Sequence, residues 1–456
     1  MAGLPVGGEE EFIFGRQRTP VVTISLIIIN AIVYLYTSAS LLFMATPQSI
    51  VYAYGFIPAI LLRDPLQGFA RIFSSMFMHA NLIHIFFNMY FLYVFGRAVE
   101  NAIGRWRYLG LYLASGVAAA LFHTAFTFLG GPQQMIIPAV GASGAISGVL
   151  GAYMLLFPGT SLTVCWWFFF LPFCFTLRAA AYLIFWFALQ VIEGYTTASI
   201  GGAGVAFFAH VGGFLTGIAL LPLVVNWVRH RYLKMRSEFL TRFFDYIRYA
   251  YSYIERPGLG KLAKIVLTVL IAAVAIGSAY SFAQSYSLYS SYVIKYLEVY
   301  EYPTQAPIAS YTNLIVSVQP KHFINLRAPL SYVSVFVNRL VALNLFWDPT
   351  WSSYVGKWVS RDVEVLGVKV PVKLFLYSAK YSGSKLVEAS GKMVTVPISI
   401  RGRVKELGAP ELYVFYIVAA ALHPEVMQIV SGVSLVLSLA SLYAIYRKSD
   451  ELALVT

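Results

Sequence analysis

Long apolar runs are the feature that most constrains what this chain can fold into. A helix that crosses a bilayer needs about 20 predominantly apolar residues. We predict eight such spans, at Val21–Phe43, Met76–Phe95, Tyr108–Leu129, Ser143–Phe157, Ala179–Tyr195, Val205–Val228, Ile265–Phe282 and Val426–Tyr446. Charged residues make up only 12% of the 456 residues, whereas a soluble domain carries about 25%. The sequence therefore predicts a polytopic membrane protein whose spans are all α-helical.

Basic residues cluster beside these spans and predict their orientation. The clusters are Arg16 with Arg18, then Arg97, Arg105 and Arg107, then nine Lys/Arg between Asn226 and Lys264, and finally Arg447 with Lys448. With eight spans, all four clusters fall on one side, which the positive-inside rule makes cytoplasmic. We therefore expect a multi-pass protein of the cell membrane with both termini in the cytoplasm. Because this topology accounts for the net charge of +13, we expect no nucleic-acid partner.

The segment between the last two predicted spans has a different composition, with charged residues at ordinary density. The runs Val368–Leu374 and Val394–Ile400 alternate apolar and polar residues with period two, which indicates strands. We predict a small β-rich extracytoplasmic domain over residues 283–425, with a sandwich as one option. Its role stays open between contact with substrates, contact with the cell envelope and simple stabilisation.

The basic linker at 229–264 mixes Lys and Arg with aromatic residues. It is either an amphipathic helix on the inner leaflet or a plain connecting helix. The two cysteines, Cys165 and Cys174, are too few for a disulfide framework to be the main stabiliser, and they have no zinc-site spacing. We expect neither a metal nor another cofactor.

A serine between glycines opens the fourth span. In Gly141-Ala142-Ser143-Gly144 the small neighbours allow another helix to approach the Ser143 hydroxyl closely. The N-terminus of a helix also offers backbone N–H groups without intrahelical partners. The alternative for Ser143 is a packing face of small residues.

A histidine lies within the sixth span, beside a second stripe of small residues. Ala209, Gly213 and Gly217 are four residues apart and flank His210. Packing of this stripe on that of the fourth span would bring His210 to Ser143. An ionisable residue in a membrane helix is by default a functional hypothesis, and the alternative is an interhelical hydrogen bond.

Two neutral hydrogen-bond donors share one face of the second span. His84 and Asn88 are four residues apart, so they project from the same side of a helix. Such donors suit the transient anion of an acyl-transfer reaction, although polar contacts between helices are the alternative. An ionised carboxylate at mid-membrane would cost about 2.5–3.5 kcal/mol, so a serine–histidine pair without an acidic third member is the expected arrangement.

Four segments in this order resemble the rhomboid intramembrane proteases. They are His84–Met89, Gly96–Gly104, Gly141–Gly144 and Ala209–Gly217, within a resemblance that extends from about Tyr54 to Leu221. The resemblance implies that Ser143 is the nucleophile and His210 the general base. It implies an oxyanion hole formed by the Ser143 backbone N–H and the side chains of His84 and Asn88. His79, Gly141, Gly144 and Gly213 would support the site, and Glu100 and Gly104 would be structural.

The resemblance also implies a fold and a reaction. It implies a six-helix rhomboid core at 1–228 and says nothing about residues 283–456. Hydropathy, charge and alternation predict the rest of the chain: the basic cytoplasmic linker at 229–264, a seventh span at 265–282, the β-rich domain at 283–425, an eighth span at 426–446 and a cytoplasmic tail at 447–456. By the resemblance, the chain would cleave transmembrane segments of other proteins near the outer leaflet. The alternatives are a proteolytically silent relative that binds membrane clients and, with less support, a transporter, for which Glu193 is the main candidate residue.

One position departs from the family pattern. Many members have an aromatic residue four positions after the nucleophile, against which the base stacks, and this chain has Ser147 there. We therefore expect a neighbour on another span to orient His210.

Overall fold

The computed structural model describes residues 4–5, 19–130, 132–168, 171–199, 206–247, 258–318, 331–401, 404–420 and 422–454. Arg16, Arg18 and the linker residues 248–257 lie outside these ranges. The chain divides into two compact units. The first contains residues 1–284 and 425–456, and the second contains Ser285–Pro424.

The first unit is a helical bundle. Its helices are α1 (Val21–Ser38), α2 (Gln48–Tyr54), α3 (Pro58–Arg63), α4 (Pro65–Phe77), α5 (Leu82–Ile103), α6 (Arg105–Gly130), α7 (Ser143–Leu156), α8 (Ala179–Ser199), α9 (Ala206–Val224), α10 (Trp227–Ile247), α11 (Lys261–Gln284), α13 (Pro424–Arg447) and α14 (Ser449–Leu452). Within the described ranges, seven helices are long and apolar enough to cross a membrane: α1, α5, α6, α8, α9, α11 and α13. The prediction of a polytopic helical membrane protein is confirmed.

Helix α7 is shorter than a full span and lies inside the bundle. Its 14 residues extend about 21 Å at 1.5 Å per residue, against about 30 Å for the hydrocarbon core of a bilayer. Every residue from Gly144 to Leu156 is buried. Because α7 is apolar on all sides, it packs against α5, α6 and α9 rather than exposing a face to lipid.

The predicted second span began too early. Met76 belongs to α4, an amphipathic helix that starts with Pro65 at its first position and is capped by the Asp64 side chain. The chain then turns, and Asn81 caps α5 by accepting a hydrogen bond from the His84 backbone N–H at 2.9 Å. Apolar residues at the end of α4 therefore precede the span without belonging to it.

A β-hairpin that the sequence did not predict connects α7 to α8. Strands β2 (Ser161–Phe168) and β3 (Leu171–Arg178) pair antiparallel, and the short strand β1 (Leu4–Pro5) pairs with β2. Cys165 lies directly opposite Cys174, and the two form a disulfide. The chain thus has one local cross-link within a hairpin.

Helix α10 and the C-terminal residues are joined at one end of the bundle. Lys234 Nζ donates to the Asp450 carbonyl oxygen at 2.8 Å, and His230 Nε2 lies 3.1 Å from the Glu451 carbonyl oxygen. The backbone N–H of Leu454 donates to the carbonyl oxygen of Leu156, the last residue of α7, at 2.8 Å. The opposite face of α10 exposes Val228, Tyr232, Met235 and Phe239, so the helix is amphipathic.

The second unit is built on one antiparallel sheet of six strands. Its strands are β4 (Ser291–Glu301), β5 (Pro307–Ser317), β6 (Trp358–Val365), β7 (Val368–Ser382), β8 (Lys385–Thr395) and β11 (Glu411–Ala419), in the order β5-β4-β11-β8-β7-β6. Strands β9 (Ile398–Arg401) and β10 (Val404–Leu407) form a separate pair. The prediction of a β-rich domain is confirmed.

The sandwich option for this domain is wrong. Helix α12 (Ser331–Ala342) buries Val333, Phe336, Val337 and Leu340 in the same core as one face of the six-stranded sheet. The alternation of buried and exposed residues in β7 and β11 fits a sheet with one covered face. A helix therefore takes the place of the second sheet.

Candidate active site

Ser143 is the first residue of α7, at the end of a backbone turn that only glycine accommodates well. Gly141 has a φ of +129°, and a Cβ added there would lie 2.8 Å from the His84 ring. The Gly141 N–H donates to the Ser75 carbonyl oxygen at 2.9 Å, which ties this turn to α4. The turn thus places the Ser143 hydroxyl next to His84.

His210 contacts Ser143 directly. Its Nε2 lies 2.8 Å from Ser143 Oγ, a hydrogen-bond distance. Ser143 is on α7 and His210 is on α9, so this contact depends on how closely the two helices approach.

Glycines allow that approach. A Cβ on Gly213 would overlap the Gly144 carbonyl oxygen, and a Cβ on Gly217 would overlap the Gly148 carbonyl oxygen. Backbone therefore packs directly on backbone between α7 and α9, as small-residue stripes permit. The predicted stripes do meet, and they carry Ser143 and His210 into contact.

The two candidate oxyanion donors lie at the same cavity. His84, Asn88, Ser143 and His210 all line a cavity of about 260 Å³ between α5, α7, α8 and α9. Asn88 Nδ2 donates one hydrogen bond to the His84 carbonyl oxygen at 2.9 Å. Since an amide group has two N–H bonds, Asn88 can donate the second to a group in the cavity.

His79 lies behind these residues rather than among them. Its ring packs edge-on against the His84 ring, with centroids 5.1 Å apart. Its Nε2 accepts a weak contact from the Ala142 N–H at 3.5 Å. His79 is fully buried, so its contacts suit support of His84 and of the turn before Ser143.

Sequence reasoning missed two residues that contact His210, both on α8. Gln190 Oε1 lies 2.7 Å from His210 Nδ1, and the Trp186 ring centroid lies 6.1 Å from that of the imidazole. Ser147 does not contact the imidazole ring by hydrogen bond, since its hydroxyl donates to the Ser143 carbonyl oxygen at 2.7 Å. The available signal was a single amide side chain directly after the largely apolar run that opens α8.

Glu100 lies at the far end of α5, remote from the cavity. Its carboxylate accepts hydrogen bonds from the backbone N–H of Val22 at 3.0 Å and of Thr23 at 2.8 Å, and from the Thr23 hydroxyl at 2.8 Å. A negatively charged group that accepts hydrogen bonds at the N-terminus of a helix stabilises that helix. Among the described residues, no three His, Cys, Asp or Glu side chains are grouped so that they could hold a metal ion.

These elements allow proton transfer without a formal charge in the resting site. A neutral imidazole can accept the serine proton, and neutral donors stand beside the serine where an oxyanion would form. The arrangement is that of a serine–histidine pair with an amide in contact with the second imidazole nitrogen.

Comparison with known proteins places this region in one family. The family model described as "Rhomboid domain" matches residues 66–227. "Rhomboid protease AarA" of Providencia stuartii is 28% identical over 222 residues, which cover 46% of this chain and 74% of that protein. "RHOMBOID-like protein 6, mitochondrial" of Arabidopsis thaliana is 31% identical over 150 residues, which cover 33% and 42%.

"Rhomboid protein 1, mitochondrial" of Saccharomyces cerevisiae is 28% identical over 159 residues, or 35% of this chain and 43% of that protein. The chain therefore spans less than half the length of these two mitochondrial relatives. The matched region contains α4 to α9 and all the residues of the cavity, and it excludes the β-rich unit. On these grounds residues 66–227 form a rhomboid domain.

Proposed function

We propose that this protein is an intramembrane serine endopeptidase that cleaves transmembrane segments with Ser143 and His210. The 2.8 Å contact between Ser143 Oγ and His210 Nε2, inside a cavity between membrane helices, carries the proposal. The Providencia stuartii relative is named a rhomboid protease, which supports the same activity.

The proposed chemistry follows from the positions of the atoms. His210 Nε2 takes the Ser143 proton while Oγ attacks the scissile carbonyl carbon, and the carbonyl oxygen becomes an oxyanion. In the proposed reaction the Ser143 backbone N–H and the side chains of His84 and Asn88, which line the same cavity, donate hydrogen bonds to it. His210 then protonates the leaving amine, and a water molecule, deprotonated by His210, hydrolyses the acyl-enzyme.

The substrate must present an unwound segment. In a transmembrane helix each scissile carbonyl is held in an intrahelical hydrogen bond, because the bilayer core offers no other partners. We therefore propose substrates with small or helix-breaking residues near one end of the span. The positive-inside rule, applied to the basic clusters, supports a cut near the outer leaflet. It also supports our proposal that both termini are cytoplasmic and that the β-rich unit is outside the cell, in reach of substrates or the envelope.

The test uses the full chain in liposomes with a single-span substrate and a fluorophosphonate probe. We expect Ser143→Ala and His210→Ala to abolish cleavage, and Asn88→Ala to lower kcat by about 10²–10³-fold, as for loss of one oxyanion donor. Ser434→Ala is the matched control, because it removes a buried hydroxyl bonded within α13. We expect it to cleave as the unaltered protein does.

The same experiment separates the silent-relative alternative. A protein that only binds membrane clients would neither cleave the substrate nor react with the fluorophosphonate. Cleavage that persists in Ser143→Ala would refute the serine mechanism.

A further inference from the structure

Gln190 is the polar residue of α8 that faces His210. Its side chain is only 8% exposed, and its Oε1 lies 2.7 Å from His210 Nδ1. On the opposite side of the imidazole, Nε2 lies 2.8 Å from Ser143 Oγ. The three side chains therefore form one continuous hydrogen-bonded row from α8 through α9 to α7.

We propose that Gln190 is a positioning residue that fixes the tautomer and the ring orientation of His210. This inference rests on the proposed protease function. A neutral imidazole has one N–H, and an amide oxygen can only accept a hydrogen bond. With Oε1 facing Nδ1, the proton lies on Nδ1, and Nε2 keeps the lone pair that accepts the Ser143 proton.

The opposite orientation of the amide would give an inactive pair. If the Gln190 NH₂ group donated to Nδ1, the imidazole proton would lie on Nε2 and would point at Ser143 Oγ. The imidazole could not then act as the base. The direction of the Gln190 hydrogen bond thus distinguishes a competent site from an incompetent one.

A neutral hydrogen-bond acceptor suits a site that lies among membrane helices. When His210 takes the proton, its Nδ1–H becomes a charged donor, and its hydrogen bond to Oε1 strengthens. A carboxylate would stabilise the same imidazolium, but it would also place a permanent charge among membrane helices. Gln190 stabilises the proton-bearing state without that charge.

Trp186 restricts the ring from the same helix. It lies one turn before Gln190 on α8, with its ring plane at 36° to the imidazole, and it also contacts Phe214, one turn after His210 on α9. Together Trp186 and Gln190 orient the His210 ring, as an aromatic residue at position 147 would. The base is therefore oriented from α8 and not from the serine helix.

The decisive variant is Gln190→Met, which keeps the length of the side chain and removes the acceptor. We expect kcat to fall by about 10–100-fold, because a buried N–H loses its partner. We expect KM to change less than about twofold, since Gln190 contacts His210 rather than the cavity's outer parts. The rate of fluorophosphonate labelling should fall in parallel with kcat.

Tyr195→Phe is the matched control. It lies on the same helix and removes a different interhelical hydrogen bond, from the Tyr195 hydroxyl to the Ala273 carbonyl oxygen at 2.6 Å. We expect its kcat to stay within about twofold of the unaltered protein, because this bond does not reach the imidazole. An equal loss in both variants would mean that α8 packing, and not the acceptor, is responsible, and would overturn the inference.

The ¹⁵N NMR spectrum of histidine-labelled protein, with the His210 signal assigned by His210→Ala, tests the tautomer directly. We expect Nδ1 to carry the proton in the unaltered protein and the two tautomers to mix in Gln190→Met. A proton on Nε2 in the unaltered protein would overturn the inference, as would unchanged kcat in Gln190→Met. Cleavage by Ser143→Ala would instead refute the proposed function.

Discussion

Replacement of Gly213 by alanine tests whether backbone contact between α7 and α9 assembles the site. A Cβ at this position would overlap the Gly144 carbonyl oxygen and would lie 3.2 Å from the Ser147 Cβ. A carbonyl oxygen within a helix cannot rotate away, so the two helices must separate. Ser143 and His210 lie beside this contact, on α7 and α9 respectively, so their separation grows with that of the helices.

The size of the effect follows from the distances. Relief of the overlap requires a displacement on the order of 1 Å. Added to the present 2.8 Å between His210 Nε2 and Ser143 Oγ, this gives about 3.8 Å, which is beyond hydrogen-bond range. A misplacement of this size costs on the order of 10²-fold in rate. We therefore expect kcat to fall about 100-fold or more in Gly213→Ala.

The assay is cleavage of a single-span substrate in liposomes, together with thermal unfolding to confirm that the variant is folded. Gly110→Ala is the control, because Gly110 lies in the second turn of α6 and an added Cβ there meets no atom within 4 Å. It should leave kcat unchanged and raise helix stability by up to about 1 kcal/mol. Wild-type kcat in folded Gly213→Ala would refute this account of how the site is assembled.

Two further predictions concern stability. Glu100→Ala removes an acceptor of three hydrogen bonds at the start of α1 and should lower the free energy of unfolding by about 3–5 kcal/mol; thermal unfolding in detergent measures this, and Glu100→Gln, which keeps one acceptor oxygen, should lose less. In the β-rich unit, burial raises the pKa of Glu411 above its usual value. Because the pKa is higher in the folded state, the contribution of Glu411 to stability is complete at acid pH and is lost as the pH rises through the folded pKa. Hydrogen exchange of β11 amides, corrected for intrinsic rates, should show this loss in the unaltered protein and not in Glu411→Gln.

The sequence predicted the spans because the bilayer imposes a length that apolar runs must match. Seven of the eight predicted spans overlap a helix of sufficient length and apolar character, and the fourth, at Ser143–Phe157, contains the shorter α7. The start of the second span was wrong because apolar composition does not separate Met76, on the buried face of an amphipathic helix, from a residue of the span. The hairpin at Ser161–Arg178 was missed because aromatic apolar residues suit strands and membrane helices alike.

The site was predictable where its residues lie within one helix or on stripes of fixed spacing. His84 and Asn88 share a face by their spacing alone, and the glycine stripes predict that α7 and α9 meet. The contact of Gln190 with His210 was not predictable in the same way. It depends on the rotation of α8 about its own axis relative to α9, and helix rotation is set by packing across the whole bundle.

The C-terminal residues change how the two extra spans should be understood. Helix α7 is too short to reach both ends of the bundle, and the space beyond Leu156 is filled by the buried residues Leu452, Ala453 and Leu454. The residues that follow the eighth span therefore pack against the end of the serine helix, and α10 bonds to those residues. A chain cut after residue 228 would keep every proposed catalytic side chain and lose these contacts. By these contacts, the segment after the eighth span supports the helix that carries Ser143.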